Sequence, residues 1–133
     1  MITATLQNDY QVHFQSATHQ WTADEPVAIG GQDSAPTPIE LLLSALAGCK
    51  AVTMKMYAQR KNWSVRQIEV RVQYYKQVIV ANSGLPVSDY IEVEIDVQGD
   101  LSPEQRQRLH EIAARCPIHR LLINPIDIRE VTP

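Results

Sequence analysis

Thr37-Pro38-Ile39-Glu40 opens a helix on three local signals. Thr37 stands in the cap position, Pro38 at the first helical position where an N–H has no partner in any case, and Glu40 three residues after the cap, closing a capping box. The helical pattern runs to about Lys61, before Asn62-Trp63. Across its first half, LLLSALAGC, the only clearly polar side chain is Ser44, so that half is apolar nearly all round and must be enclosed by a sheet or by a partner. Lys50, Lys55, Gln59, Arg60 and Lys61 place its other end in water. An all-β fold is thereby excluded.

Strands surround this helix in sequence. Ile2 to Gln7 and Tyr10 to Phe14, with Asn8-Asp9 between them, predict an opening hairpin, and Gly30-Gly31-Gln32-Asp33-Ser34 reads as a loop. Val65 to Gln73 and Tyr90 to Gln98 are the clearest strands. In the latter, Ile91, Val93, Ile95 and Val97 alternate with Glu92, Glu94 and Asp96, giving one buried face and one acidic wet face. Tyr75 to Ala81 extends the first strand or pairs with it, and Asn82-Ser83-Gly84 is a turn. Ser102-Pro103-Glu104-Gln105 repeats the helix-start signal, and that helix ends by Arg115, because the residue before a proline is pushed out of helical geometry. Pro117 to Leu122 forms a further short helix with Cys116 as its cap, and Ile126 to Val131 closes the chain as a strand. The 133 residues are enough for one α+β domain and too few for two.

Charge and composition remove several function classes. With 12 Lys and Arg against 15 Asp and Glu, the net charge of -3 leaves no electrostatic footprint for nucleic acid or an anionic membrane. Residues 1–49 hold five acids and no Lys or Arg, so that segment carries -5 and the remainder +2. No phosphate-binding glycine pattern occurs, so no nucleotide site is expected. The most apolar stretch, Ile39 to Cys49, is far shorter than the ~20 residues that span a bilayer. The N-terminus has neither the basic start nor the apolar core of an export signal, and the expected location is the cytoplasm.

Two cysteines, Cys49 and Cys116, stand 67 positions apart, which is neither a secreted disulfide framework nor a paired-thiol zinc spacing. Cys116, before Pro117, occupies a cap where a helix start favours thiolate over thiol. Cys49 shares a helical face with Leu42, Ala45, Leu46, Val52, Thr53 and Met56. An apolar face by itself raises a thiol's pKa, so reactivity there needs a cation from elsewhere, and the face then becomes a greasy approach for an organic substrate. Taken singly, Cys49 is equally a small core hydrophobe, Cys116 a helix cap, and Gly48 a site of close packing. His119 lies one turn from Cys116, but two ligands do not make a metal site, and Cys49, His110, His13 and His19 fit no zinc spacing. No metal and no cofactor are called for.

The run Pro38-Ile39-Glu40-Leu41-Leu42-Leu43-Ser44-Ala45-Leu46-Ala47-Gly48-Cys49, followed after strands and a helix by Ala114-Arg115-Cys116-Pro117-Ile118-His119-Arg120, resembles the OsmC/Ohr family over nearly the whole chain. The resemblance implies an OsmC-like α+β fold, antiparallel sheets around a long buried central helix, in an intertwined homodimer. It also implies thiol-dependent reduction of organic hydroperoxides. Cys49 would attack the O–O bond and become a sulfenic acid; Cys116 would resolve it to a disulfide, and a dithiol reductant, of the dihydrolipoamide kind in this family, would reopen it.

The sequence departs from the family pattern twice. Members with this activity place an Arg from the N-terminal region beside the reactive thiol, and residues 1–59 contain none. They also place Glu directly after the helix-starting Pro, where this chain has Ile39; Glu40, one later, points away from Cys49 and reads as a capping residue. His119, Arg120 or Lys50, from either subunit, are the substitutes for the missing charge. Lys50 projects about 100° from Cys49, which makes it a poor partner from its own helix. The alternatives to a peroxidase are a redox sensor using the same thiols and a small-ligand-binding protein built around the apolar helix.

Overall fold

The structure is a computed structural model and describes residues 1–76 and 89–131. These residues form two compact units, residues 1–44 and the described part of residues 45–133.

In the first unit, strands β1 (Thr3–Leu6), β2 (Val12–Gln15) and β3 (Gln20–Ala23) form an antiparallel meander, with Thr3 opposite Gln15 and Gln15 opposite Gln20. The predicted opening hairpin is present, and Asp9 takes the left-handed backbone conformation of its turn at φ 50°. β3 is an addition to the expected elements. It is held by Trp21 stacking on Phe14 directly across the register, ring centroids 5.6 Å apart. After it, Asp24 is almost wholly buried and fully occupied. Its carboxylate accepts from the Glu25, Gln32 and Ser34 backbone N–H groups at 2.8, 3.2 and 3.1 Å and from the Ser34 hydroxyl at 2.6 Å. These donors, the Ser34 hydroxyl foremost, hold its carboxyl below the usual carboxylate range against the opposing effect of burial. The loop they shape passes so close to Glu25 that a Cβ on Gly31 would stand 1.8 Å from the Glu25 carbonyl oxygen. Thr37 and Glu40 form the predicted capping box, the Thr37 N–H donating to Glu40 at 2.8 Å and the Glu40 N–H to Thr37 Oγ1 at 3.2 Å.

Helix α1 runs from Pro38 to Arg60. Its buried residues are Leu46, Lys50, Met54 and Ala58, one stripe at a spacing of four. The expected burial of the apolar half all round is not what the chain does alone: Ile39, Leu42, Val52 and Met56 are about half exposed. The buried face shares Leu46 with the stripe expected on the Cys49 side and otherwise runs along Lys50, Met54 and Ala58.

The second unit pairs β4 (Ser64–Tyr75) with β5 (Tyr90–Asp100) in an antiparallel hairpin, Ile68 opposite Val97 and Val72 opposite Val93, with a register shift between Val65 and Gln67. The expected wet face is present. Arg71 there pairs with Glu94 at 2.7 Å and with Glu69. The expected extension beyond Tyr75 and the turn at Asn82-Ser83-Gly84 lie outside the described residues. Helix α2 (Pro103–Ala113) starts with a complete capping box between Ser102 and Gln105. Helix α3 (Pro117–Ile123) is capped by Cys116. Met54, Ala58, Val65, Val97, Leu109 and Ala113 form the core, flanked by Tyr57, Trp63, Ile68, Ile95 and Leu101. The strand expected over Ile126 to Val131 is absent among the described residues: Ile126, Ile128 and Val131 are exposed and no strand of the chain pairs with them. An extended segment becomes a strand only when another strand takes its N–H and C=O groups.

Candidate active site

The junction between α2 and α3 creates the site. Pro117 cannot continue α2, so Cys116 turns to extended geometry, φ -62° and ψ 143°, and its Sγ accepts the His119 backbone N–H at 3.2 Å. The same turn leaves the Ala113 carbonyl at the end of α2, where the long bond it accepts from the Cys116 N–H, at 3.5 Å, leaves room for a second donor. Lys50 of α1 fills that place: its Nζ donates to the Ala113 oxygen at 3.0 Å and to His119 Nδ1 at 3.1 Å. With Lys50 as an ammonium, which only donates, Nδ1 accepts and the neutral imidazole carries its proton on Nε2.

Cys49 precedes Lys50 on α1, and its thiol is near enough to the Cys116 thiol to act on that thiol's ionisation. Both cysteines are free. Cys116 has no exposed surface, whereas Cys49 is only half-buried. Beside it a Cβ on Gly48 would meet nothing within 4 Å, so among the described residues Gly48 is not a point of close packing.

Burial and charge act against each other here. Burial pushes the Cys116 thiol up and the His119 N–H pulls it down; the Cys49 thiol raises it, and the Lys50 charge lowers it. Lys50 is itself pushed down by burial and held up by the two sulfurs, Cys116 first. His119 is lowered by burial and then by the Lys50 charge, which favours the neutral ring.

Of the residues the sequence singled out, Cys49, Cys116 and His119 come together. Arg120 does not: its side chain is exposed, and its contribution is a backbone N–H donated to the Cys116 carbonyl at 3.1 Å. Glu40 is exposed and serves the capping box. Lys50, expected in water and judged a poor partner, is 4% exposed and stands in the cluster. The signal for it was its spacing of four from Leu46 and Met54. Among the described residues no three His, Cys, Asp or Glu side chains are grouped to hold a metal, and no helix is long and apolar enough to cross a membrane.

Small antiparallel sheets and, among the described residues, three α-helices define the class, an α+β protein, with two free cysteines. The family model for OsmC-like protein matches residues 31–131, and the chain belongs to that family. Solved structures share the fold. An OsmC like protein from Mycoplasma pneumoniae is 22% identical, with 92% of this chain and 85% of that one covered and a TM-score of 0.74. A putative osmotic stress induced and detoxification response protein from Psychrobacter arcticus 273-4 is 19% identical, covering 93% and 88%, TM-score 0.72. A putative organic hydroperoxide resistance protein from Vibrio cholerae O1 biovar eltor, with captopril bound in one of its active sites, is 18% identical, covering 95% and 85%, TM-score 0.65. Comparison with curated protein sequences gives no match.

Proposed function

We propose that the protein reduces organic hydroperoxides through its two cysteines, as a homodimer in a reducing compartment, the cytoplasm. The observation that carries this reading is the thiol pair: a half-buried Cys49 that acts on the ionisation of a fully buried Cys116, both thiols free. The Vibrio cholerae protein of the same fold, a putative organic hydroperoxide resistance protein, supports it. The Cys49 thiolate attacks the outer oxygen of ROOH. The O–O bond breaks, the alkoxide leaves and takes a proton to become the alcohol, and Cys49 becomes a sulfenic acid. The Cys116 sulfur then attacks that sulfur; an S–S bond forms, the S–O bond breaks, and hydroxide leaves as water. A dithiol restores both thiols. The half-exposed Leu42, Val52 and Met56 of α1 are the surface that a second subunit covers.

The test is a free-thiol count with intact mass before and after one equivalent of an alkyl hydroperoxide. Wild type loses both thiols and about two mass units, the two hydrogens of disulfide formation. Cys116→Ser stops at a sulfenic acid on Cys49, and Cys49→Ser does not react. Unchanged thiols in wild type, or full turnover in Cys49→Ser, overturn the proposal; slow stoichiometric oxidation replaces it with a redox sensor.

A further inference from the structure

Lys50 is a buried cation that the peroxidase reading does not use. The residue is 4% exposed, its two protein acceptors are neutral, and none of the ion pairs among the described residues gives it a carboxylate. A buried, unpaired charge costs several kcal/mol in general, so a lysine in such a place either sheds its proton or finds a counter-charge nearby. The titratable groups facing it are Cys49 on its own helix and Cys116 and His119 from α3, while α2 presents only the Ala113 carbonyl. An imidazole accepting through Nδ1 cannot be the counter-ion. Only a sulfur can.

We infer that Lys50 is the positioning cation of the thiol pair: held by the Ala113 carbonyl and the His119 ring, it receives the Cys116 thiolate when the Cys49–Cys116 disulfide is opened. The inference rests on the two-thiol reading above and gives it a direction. Access selects the sulfur that an incoming thiolate attacks, and Cys49 is the half-exposed one while Cys116 has no exposed surface. One thiolate of a dithiol attacks Cys49 Sγ; the S–S bond breaks, and its electron pair leaves on Cys116 Sγ. A leaving sulfur departs faster the better its thiolate is stabilised. Burial on balance raises the Cys116 thiol; the His119 N–H at 3.2 Å and, to a smaller extent, the Lys50 charge act against it in favour of the thiolate. The second thiolate of the dithiol then attacks its own sulfur in the mixed disulfide and releases Cys49. Two electrons pass from the dithiol to the protein, and the two protons the dithiol gives up end on the two cysteines.

The same arrangement serves the forward direction, in which a Cys116 thiolate attacks the sulfenic acid. Cys49 and Lys50 are adjacent on one helix and Cys116 and His119 stand at the start of another. The cation therefore comes with the pair, and no Arg from the N-terminal region has to reach it.

The test titrates Cys116 alone, by thiolate ultraviolet absorbance against pH in Cys49→Ser, with Lys50, Lys50→Met and Lys50→Arg. Removing the opposite charge shifts the Cys116 titration to higher pH in Lys50→Met, and the permanent cation of Lys50→Arg shifts it back. With both cysteines present, opening of the disulfide by a dihydrolipoamide-type dithiol slows in Lys50→Met and recovers in Lys50→Arg. A Lys50→Met titration that superposes on the parent overturns the inference. Should Lys50→Met not fold, carbon-13 NMR of the four labelled lysines decides the matter. The Lys50 signal inflects with the thiol titration and loses that inflection in Cys116→Ser; a Lys50 signal indifferent to the thiol overturns the inference equally. Inertness of wild type toward hydroperoxide refutes the peroxidase reading without altering this titration, so the two failures are distinguishable.

Discussion

Leu109→Ala tests the packing that brings α2 to the site. Leu109 has no exposed surface and belongs to the cluster of Met54, Ala58, Val65, Val97 and Ala113. Met54 lies one turn after Lys50, and Ala113, one turn after Leu109, presents the carbonyl that Lys50 holds. The substitution removes three buried carbons, a loss of about 2.4 kcal/mol at ~0.8 per carbon. The cavity left behind brings the total to about 3–5 kcal/mol. With an unfolding entropy of about 2.1 cal/mol/K per residue, 133 residues give about 0.28 kcal/mol/K. The melting temperature should then fall by about 10–18 °C, read by calorimetry or circular dichroism with both thiols reduced. A fall under about 4 °C, equivalent to about 1 kcal/mol, refutes the argument, because it means that Leu109 is not packed against α1 and that the Ala113 carbonyl is not fixed by this core.

Two further outcomes are expected. Ser102→Ala removes the hydroxyl that accepts the Gln105 N–H at 3.1 Å and should destabilise the protein by about 1 kcal/mol in a urea titration, while leaving the thiolate absorbance titration unchanged. His119 is held below the usual imidazole value by burial and by the Lys50 charge, so on acidification the unfolded chain takes up a proton that the folded chain refuses. Its contribution is complete above the ordinary value of about 6.5 and is lost as pH falls through the lowered one. Urea midpoints measured from neutral to mildly acidic pH should lose part of their slope in His119→Gln; an unaltered slope would mean that His119 is not kept neutral.

Elements with their own punctuation were legible in the sequence. The Thr37–Glu40 and Ser102–Gln105 capping boxes and the Cys116-Pro117 turn are chemistry within four residues, and the structure has all three where the sequence placed them. β4 and β5 were legible as strands because the alternation, clearest in Ile91 to Val97, admits only one face inward, whereas their pairing with each other was not read. β3 was not, since four residues with one half-buried Trp21 carry no period to detect, and its partner Phe14 is specified only by register. The alternation of Ile126 and Ile128 was real, but a strand is a relation between two segments and these residues have no partner strand within the described chain.

The misplacement of Lys50 has a different origin. Sequence reasoning sorts a helix by the polarity of its residues, and by that rule Lys50 belongs to the wet half while Leu42, Val52 and Met56 belong inside. The structure reverses both: Lys50 is buried on the stripe with Leu46 and Met54, and the three apolar residues stand half exposed. What decides the matter is the Ala113 carbonyl and the His119 ring, 63 and 69 residues further along. A long flexible stem carries the ammonium to them, so the energy of burial is offset by groups that no local pattern announces. Direction from the helix axis was therefore the wrong measure of partnership with the thiols. A side chain that leaves α1 about 100° from Cys49 can still place its charge beside Cys116, because the α2–α3 turn brings that sulfur to the face Lys50 occupies.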